Sequence, residues 1–235
     1  MRKTLTSTEA VAVRKCLSNS DGCDDLSGWA TAVLAEIRGG SRSPPAIKHP
    51  LGFICIQLYR TAGWGLCIHV WKSPMVPASL TTSPIHSHSW DLFSQVLCGR
   101  LENIEICVAD ASPYPTHRIL EVTSLHGTDQ IRPTQRLVCW TRTDSVYIGA
   151  GENYSLPAGT FHVSRPSEVG LTATVLLAED RYASPELALG RLDSCDHVIA
   201  RQACPPREMQ ATVDVALRGL AEIKAAEWER SNDIL

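Results

Sequence analysis

The chain has 235 residues, of which 44% are apolar and 20% charged, a composition typical of a globular protein with one substantial core. The formal net charge of −3 argues against nucleic acid as a partner, because nucleic-acid binding needs a basic surface. No run reaches the roughly 18 apolar residues of a membrane span, and no apolar signal segment follows the charged first residues, so we expect a cytoplasmic protein without a membrane partner.

Residues 1–45 are predicted to form a helical N-terminal extension. Apolar residues recur at helical spacing from Ala10 to Leu17, after Ser and Thr candidates for the N-cap, and again from Asp25 to Arg38. Two glycines follow the second helix, where glycine readily adopts the left-handed cap conformation. The proline-containing residues 41–45 then form a linker.

Residues 46–182 are predicted to form a β-barrel. Their short β-rich runs are separated by Gly and Pro, which is typical of a sandwich or barrel, and no βαβ alternation or solenoid repeat is visible. The runs predicted as strands are Phe53 to Tyr59, Trp64 to Trp71, Phe93 to Leu97, Leu101 to Val108, Leu137 to Thr141, Ser145 to Ile148 and Thr172 to Leu177.

Residues 183–235 are predicted to form a helical C-terminal extension. The sequence Ser184-Pro185-Glu186 is typical of a helix start, because Pro fits the first turn. From Glu208 to Arg230, apolar residues fall on roughly one face, with Lys and Glu elsewhere. We expect this amphipathic helix to cover the barrel or to form a contact in a homodimer.

The nine cysteines are odd in number and scattered, and they contain no C-x-x-C pair. In a chain without an export signal, this pattern predicts reduced thiols, several of them packed in the core. It does not predict zinc bound by cysteine.

Two histidines, His86 and His88, are separated by one residue in a β-rich stretch. Side chains alternate along a strand, so both imidazoles point to the same face and can share one metal ion. The pair alone is weak support, because the chain has eight histidines and a chance pair is not rare.

A third histidine, His162, follows a predicted tight turn at Pro157-Ala158-Gly159. An imidazole from a distant strand is what a metal site in a barrel needs, and imidazole suits Fe, Zn, Cu, Ni and, less well, Mn. We therefore predict that His86, His88 and His162 are the metal ligands. The alternative is three hydrogen-bonded core histidines.

The two segments together resemble the two signature motifs of the cupin superfamily. The first motif has the form H-x-H and ends at a glycine, here Gly99, and the second has the form G-x5-P-x-G-x2-H, which residues 151–162 match at every fixed position. The resemblance covers roughly residues 50–180. It implies a mainly β fold, a single double-stranded β-helix (jelly-roll) barrel, with the predicted helices as extensions at both ends. It also implies a bound metal, and cupins often dimerise.

One position departs from the family pattern. Leu92 stands where cupins usually have a metal-binding Glu, and Asp91 beside it has the opposite strand parity, so it reaches the metal only if a bulge shifts the register. The simplest site is three neutral histidines with open positions. By resemblance, three-histidine cupins include thiol dioxygenases and related non-haem iron oxygenases. Phe93 stands where cysteine dioxygenase has its crosslinked cysteine, so a thiol substrate is not favoured.

Three further side chains are candidates for catalysis or substrate contact. His69 alternates with apolar residues on its strand, Tyr59 shares a face with Gln57, and Ser94 shares the face of the ligands. For each, a structural role in the core is the alternative. His49, together with His117, His126 and His197, is interpreted as a surface residue.

These observations favour an enzyme, a non-haem Fe(II) oxygenase or dioxygenase that acts on a small organic molecule with O2. Fe(II) is the expected cofactor, and Zn, Ni and Mn are alternatives. A redox-neutral metal cupin (an isomerase, lyase or hydrolase) and a non-catalytic cupin that binds a small ligand are the rival interpretations.

Overall fold

The computed structural model describes residues 4–18, 25–72, 82–111, 113–125, 127–167, 170–181 and 185–232. Within these ranges the chain forms three helices and two seven-stranded antiparallel sheets. The helices are α1 (Ser7–Ser18), α2 (Leu26–Arg38) and α3 (Pro206–Asn232). The strands are β1 (Ala46–Lys48), β2 (Ile54–Arg60), β3 (Trp64–Lys72), β4 (His86–Ser87), β5 (Trp90–Cys98), β6 (Arg100–Asp110), β7 (His117–Leu125), β8 (Thr128–Gly149), β9 (Asn153–Leu156), β10 (His162–Pro166), β11 (Leu171–Asp180), β12 (Glu186–Gly190), β13 (His197–Ala200) and β14 (Gln202–Ala203).

The strand order identifies the barrel. The first sheet has the order β14-β1-β2-β3-β11-β5-β9, and the second has the order β13-β8-β6-β10-β4-β12-β7. The chain alternates between the sheets from β3 to β6 and again from β8 to β12, and β3-β11-β5-β9 and β4-β10-β6-β8 form the two halves of an antiparallel jelly roll. The predicted mainly β fold, a cupin-type jelly-roll barrel with helices at both ends of the chain, is confirmed.

The first sheet is covered on its outer side by the helices. Ile56 of β2 and Ile68 of β3 are fully buried there and form one cluster with Leu34 of α2 and Val213 of α3. Burying each such side chain stabilises the fold by about 1.5–3 kcal/mol, before the cost of ordering the chain. The helices predicted over residues 10–17, 25–38 and 208–230 are present; the first and third have longer bounds, and the second begins one residue later.

Gly99, the glycine that ends the first motif, is required for steric reasons. Gly99 connects β5 to β6 with a φ of 79°, in the left-handed region that other residues rarely adopt. A Cβ at this position would also collide with the backbone of Leu171 and Thr172. The turn therefore requires glycine, which fixes where the two sheets of the barrel join.

The helix start predicted at residues 184–186 is wrong for the part that the structure describes. Glu186 begins β12, which pairs with both β4 and β7. Pairing on two sides satisfies the backbone groups of this segment in the sheet, and this long-range effect overrides the local helix signal of Pro185. The runs Leu137 to Thr141 and Ser145 to Ile148 are parts of one strand, β8.

Seven of the cysteines in the described residues are free thiols, as predicted. They are Cys55, Cys67, Cys98, Cys107, Cys139, Cys195 and Cys204. Cys16 is disulfide-bonded, so the prediction of reduced thiols is wrong at that position. No helix in the described part of the chain is both long enough and apolar enough to cross a membrane.

Candidate metal centre

The second sheet brings the three predicted histidines together. His86 of β4 lies directly opposite His162 of β10 in the antiparallel register, and His88 follows two residues after His86. The ring centroids lie 4.7 Å apart for His86 and His88, 4.5 Å for His86 and His162, and 5.3 Å for His88 and His162. One ring nitrogen from each lies within 4.8 Å of the other two. The three imidazoles can therefore hold one metal ion.

Hydrogen bonds fix two of these rings with one nitrogen toward the common centre. Nδ1 of His86 lies 2.9 Å from the carbonyl oxygen of Pro84, and Nδ1 of His162 lies 3.0 Å from Oδ1 of Asn103. Since both partners are acceptors, each Nδ1 carries the proton and each Nε2 offers a lone pair. Ligating histidines in metalloproteins are oriented in this way.

The buried Nε2 of His162 indicates whether a metal fits this site. His162 is 2% exposed, and among the described residues no group hydrogen-bonds to its Nε2. Leaving a buried polar atom unsatisfied costs about 1–3 kcal/mol. A metal ion coordinated by this nitrogen removes the penalty, so the residues present fit a metal.

The surroundings of the three rings favour their neutral form. Burial lowers the pKa of His86, and it lowers the pKa values of His88 and His162 well below the usual range. The neighbouring imidazoles lower the pKa of His88 further. Neutral imidazole is the form that binds a metal, so these surroundings favour the metal-binding form of the three histidines.

The turn before His162 is held by Asp91. Oδ1 of Asp91 accepts a hydrogen bond from the backbone N–H of Ala158 at 2.8 Å, and Oδ2 forms an ion pair with Arg181 at 2.7 Å. The backbone N–H of Gly159 donates to the carbonyl of His88 at 2.8 Å. Asp91 therefore connects the two motifs, and its carboxylate is committed to these partners. Leu92 faces the cavity with an apolar side chain, as its strand parity predicted.

A cavity of about 260 Å³ lies between the two sheets beside the three histidines. Glu186 of β12 lines it and accepts a hydrogen bond from Nε1 of Trp90 at 3.1 Å, and the Trp90 ring stacks on His88 at 3.8 Å. Burial raises the pKa of Glu186. The local sequence does not reveal this carboxyl, because Ser184-Pro185-Glu186 is typical of a helix start.

The structure places the other predicted site residues in different environments. His69 lines the cavity. Tyr59 faces α1, and its hydroxyl donates to Oγ of Ser7 at 3.2 Å. Ser94 is buried within the first sheet, where its hydroxyl donates to the carbonyl of Val175 at 2.9 Å. Of the three catalytic candidates, only His69 is brought to the histidine cluster's cavity.

A β-bulge explains the position of Tyr59. Gln57 pairs with Cys67 and Tyr59 pairs with Leu66, so Leu58 is an extra residue in β2. The extra residue turns Tyr59 to the outer face and brings Arg60 to the cavity. Simple alternation, which put Tyr59 on the same face as Gln57, does not hold past the bulge.

His49 is a cavity residue, and its interpretation as a surface residue is wrong. Its ring stacks on Phe53 at 4.2 Å, and Phe53 in turn contacts His69 at 4.4 Å. Burial lowers the pKa of His49 well below the usual range. His49 begins a turn between β1 and β2, in which the backbone N–H of Gly52 donates to the His49 carbonyl, and no local sequence pattern places this turn at the cavity.

No protein-family model matches the chain, and no curated protein matches it. Among solved structures, it is similar to hydroxypropylphosphonic acid epoxidase from S. wedmorenis, with a TM-score of 0.34 and 12% identity over 57% of this chain and 54% of that chain. It is also similar to hydroquinone 1,2-dioxygenase PnpCD in complex with Cd²⁺ and 4-hydroxybenzonitrile, with a TM-score of 0.32 and 14% identity over 67% and 77%. The chain thus spans about half the length of the epoxidase. The assignment of the fold rests on the strand order, and the site rests on its own geometry.

Proposed function

We propose that the protein is a metal-dependent cupin enzyme, a non-haem Fe(II) oxygenase that acts on a small organic molecule bound beside His86, His88 and His162. The observation that carries the proposal is the buried Nε2 of His162, which meets two other imidazoles at the wall of a cavity and has no hydrogen-bond partner among the described residues. Iron, when bound, supplies the redox chemistry with O2.

The ligand set supports iron chemistry with open coordination positions. Three neutral imidazoles bring no negative charge, and Leu92 replaces the acidic ligand that cupins usually have. Positions that the chain does not fill are free for O2 and for an anionic group of the substrate. Imidazole also accepts Zn, Ni and Mn, so the ligand set alone does not select the metal.

The rest of the cavity supports a small substrate. Its volume lies near the lower end of the range for small-molecule pockets, and apolar side chains such as Ile131 and Leu176 line part of it. Trp90 holds the carboxyl group of Glu186 at the wall. With its raised pKa, Glu186 keeps a proton at higher pH than an ordinary carboxyl and is suited to pass it to or from the substrate.

The same carboxyl favours a second candidate, a redox-neutral isomerase, lyase or hydrolase. Such enzymes need a Lewis-acidic metal and a general acid–base group, and the cavity offers Glu186 for that task. In this case Zn, Ni or Mn would replace iron. A cupin that only binds its ligand would use the cavity without proton transfer.

The experiment separates these functions by their use of oxygen. The purified protein is loaded anaerobically with Fe(II), and nitric oxide, an analogue of O2, is added while the ferrous–nitrosyl signal is followed by electron paramagnetic resonance. Oxygen uptake is then measured with a panel of small aromatic, hydroxylated and phosphonate compounds. The proposal predicts a nitrosyl signal and uptake that depends on substrate.

An iron-loaded protein that gives no nitrosyl signal and no substrate-dependent uptake contradicts the oxygenase proposal. Turnover by the zinc or manganese form under nitrogen would then support the redox-neutral enzyme. Glu186→Gln is the matched variant, because it keeps an acceptor for Trp90 and removes the titratable proton. It should slow turnover in either enzyme while nitric oxide binding is unchanged.

A further inference from the structure

A second group of metal-binding side chains lies in the same cavity. Cys55 of β2 lies opposite His69 of β3, and Cys67 lies two residues before His69 on the same face. All three side chains line the cavity, and one ligand atom from each lies within 4.8 Å of the other two. Nothing in the proposed oxygenase uses the two thiols.

The surrounding side chains hold the group in place. Cys55 is 6% exposed, and Cys67 and His69 are half-buried. The His69 ring packs between Phe53 and Trp71, at centroid distances of 4.4 Å and 5.8 Å. Packing against two aromatic rings restricts the rotamer of His69 and keeps the imidazole on the cavity side. The three side chains are therefore already held in positions from which they can bind one metal ion.

Hydrogen bonds join the three groups. Cys67 forms one with Cys55 and a second with His69. A divalent metal replaces the protons of the thiols that it binds, and its positive charge compensates the buried thiolates in direct contact.

We propose that Cys55, Cys67 and His69 form a second metal site for a thiophilic divalent ion such as Zn²⁺, in the same cavity as the three-histidine site. Two thiolates and one imidazole are a known ligand set for zinc, with the fourth position open. Thiolate ligands select softer metals than three imidazoles do. The two sites therefore differ in the metal that they prefer, and the cavity can hold two ions of different kinds.

Cobalt is the probe that distinguishes the sites. Co²⁺ bound by thiolate gives an intense near-ultraviolet charge-transfer band, which a site made of imidazoles alone cannot give. The reduced apoprotein is titrated with Co²⁺, and the band should appear and then disappear when Zn²⁺ displaces the cobalt. The double variant His86→Ala/His162→Ala should keep the band, which separates this site from the proposed oxygenase site.

The variant Cys55→Ser/Cys67→Ser should lose the band and still bind Fe(II) at the histidines. Cys107→Ser is the matched control, because Cys107 is an exposed free thiol and its loss should leave the band unchanged. The variant His69→Ala should keep both thiols and weaken zinc binding by at least about tenfold, since it removes one ligand. Circular dichroism checks that each variant is folded.

Three results would overturn the proposal. The first is a reduced wild-type protein that gives no charge-transfer band with Co²⁺. The second is a band that survives in folded Cys55→Ser/Cys67→Ser protein. The third is a disulfide between Cys55 and Cys67, found by mass spectrometry, that persists when reductant and metal are added together.

Discussion

The two faces of strands β2 and β3 have different roles, one in packing against the helices and the other in lining the cavity. On the outer face, Ile56 and Ile68 are directly paired, fully buried and covered by the helices. On the inner face, the neighbouring pair of Cys55 and His69 lines the cavity. A slip of one residue in the register would exchange the two faces. The apolar layer beneath the helices therefore fixes the register that places Cys55 and His69 at the cavity.

Replacing one residue from each face is the strongest way to test this division. Ile68→Ala should lower the free energy of unfolding by about 2–5 kcal/mol, because it leaves a cavity in a fully packed layer, and it should leave the metal content of the folded protein unchanged. His69→Ala should cost less than Ile68→Ala and change metal binding. Urea denaturation and metal analysis measure both. Equal losses of stability would contradict the division.

Variants of Asn103 test whether its hydrogen bond to His162 orients this imidazole toward the metal site. Asn103→Ala removes the acceptor that holds Nδ1 of His162, and it should weaken Fe(II) binding about 10- to 100-fold. Asn103→Asp keeps an acceptor and should recover most of the affinity. Anaerobic titration with Fe(II) gives the values. An affinity for Asn103→Ala equal to that of the wild type would show that this hydrogen bond does not orient the ring.

An Asp91 variant tests whether this residue supports the turn before His162 or binds the metal. Asp91→Ala removes the hydrogen bond to Ala158 and the ion pair with Arg181, so the free energy of unfolding should fall by about 1 kcal/mol. Its metal content should match that of the wild type, because the carboxylate is committed to these partners. A loss of metal equal to that of a histidine variant would identify Asp91 as a ligand instead.

Acid should weaken the start of α1 and its ion pair with Arg42, which follows α2. The hydrogen bond from the backbone of Thr6, with those from the Thr6 hydroxyl and Arg42, lowers the pKa of Glu9 from 4.5 to about 2. Since the folded value lies below the unfolded one, the stabilisation is complete above pH 4.5 and is lost between about pH 4.5 and pH 2. Glu9 is a third exposed, so the effect should stay below about 1 kcal/mol.

The contribution of Glu9 is measured from the urea midpoints of the wild type and of Glu9→Gln between pH 6 and pH 3. The wild type should lose more stability than the variant over that interval, by the contribution of Glu9. Parallel curves would contradict the assigned role of this carboxylate.

The parts that the sequence predicted depend on local signals. Strand alternation placed His86 and His88 on one face and turned Leu92 inward, and the turn at residues 157–159 placed His162 at the start of a strand. These predictions need only a few neighbouring residues. The helices followed from periodicity for the same reason, because their apolar faces are continuous in sequence.

The parts that were missed depend on partners far away in the chain. Glu186 reaches the cavity because β12 pairs with β4 and β7, and the local Pro signal favoured a helix instead. The approach of Cys55 to Cys67 depends on the register between β2 and β3, which scattered cysteines do not reveal. The bulge at Leu58 reversed the predicted side of Tyr59. Each case is one in which tertiary pairing overrode a local pattern.

The most direct test of the central claim is the iron content of His162→Ala. The wild type, His162→Ala and the control His117→Ala, which replaces a histidine at the start of β7, are loaded anaerobically with Fe(II), freed of excess metal and analysed. The Cys55→Ser/Cys67→Ser background excludes iron at the second site. A three-histidine centre predicts that wild-type and His117→Ala proteins retain iron and that folded His162→Ala protein loses it. Unchanged iron in His162→Ala would contradict the assignment of this histidine as a ligand.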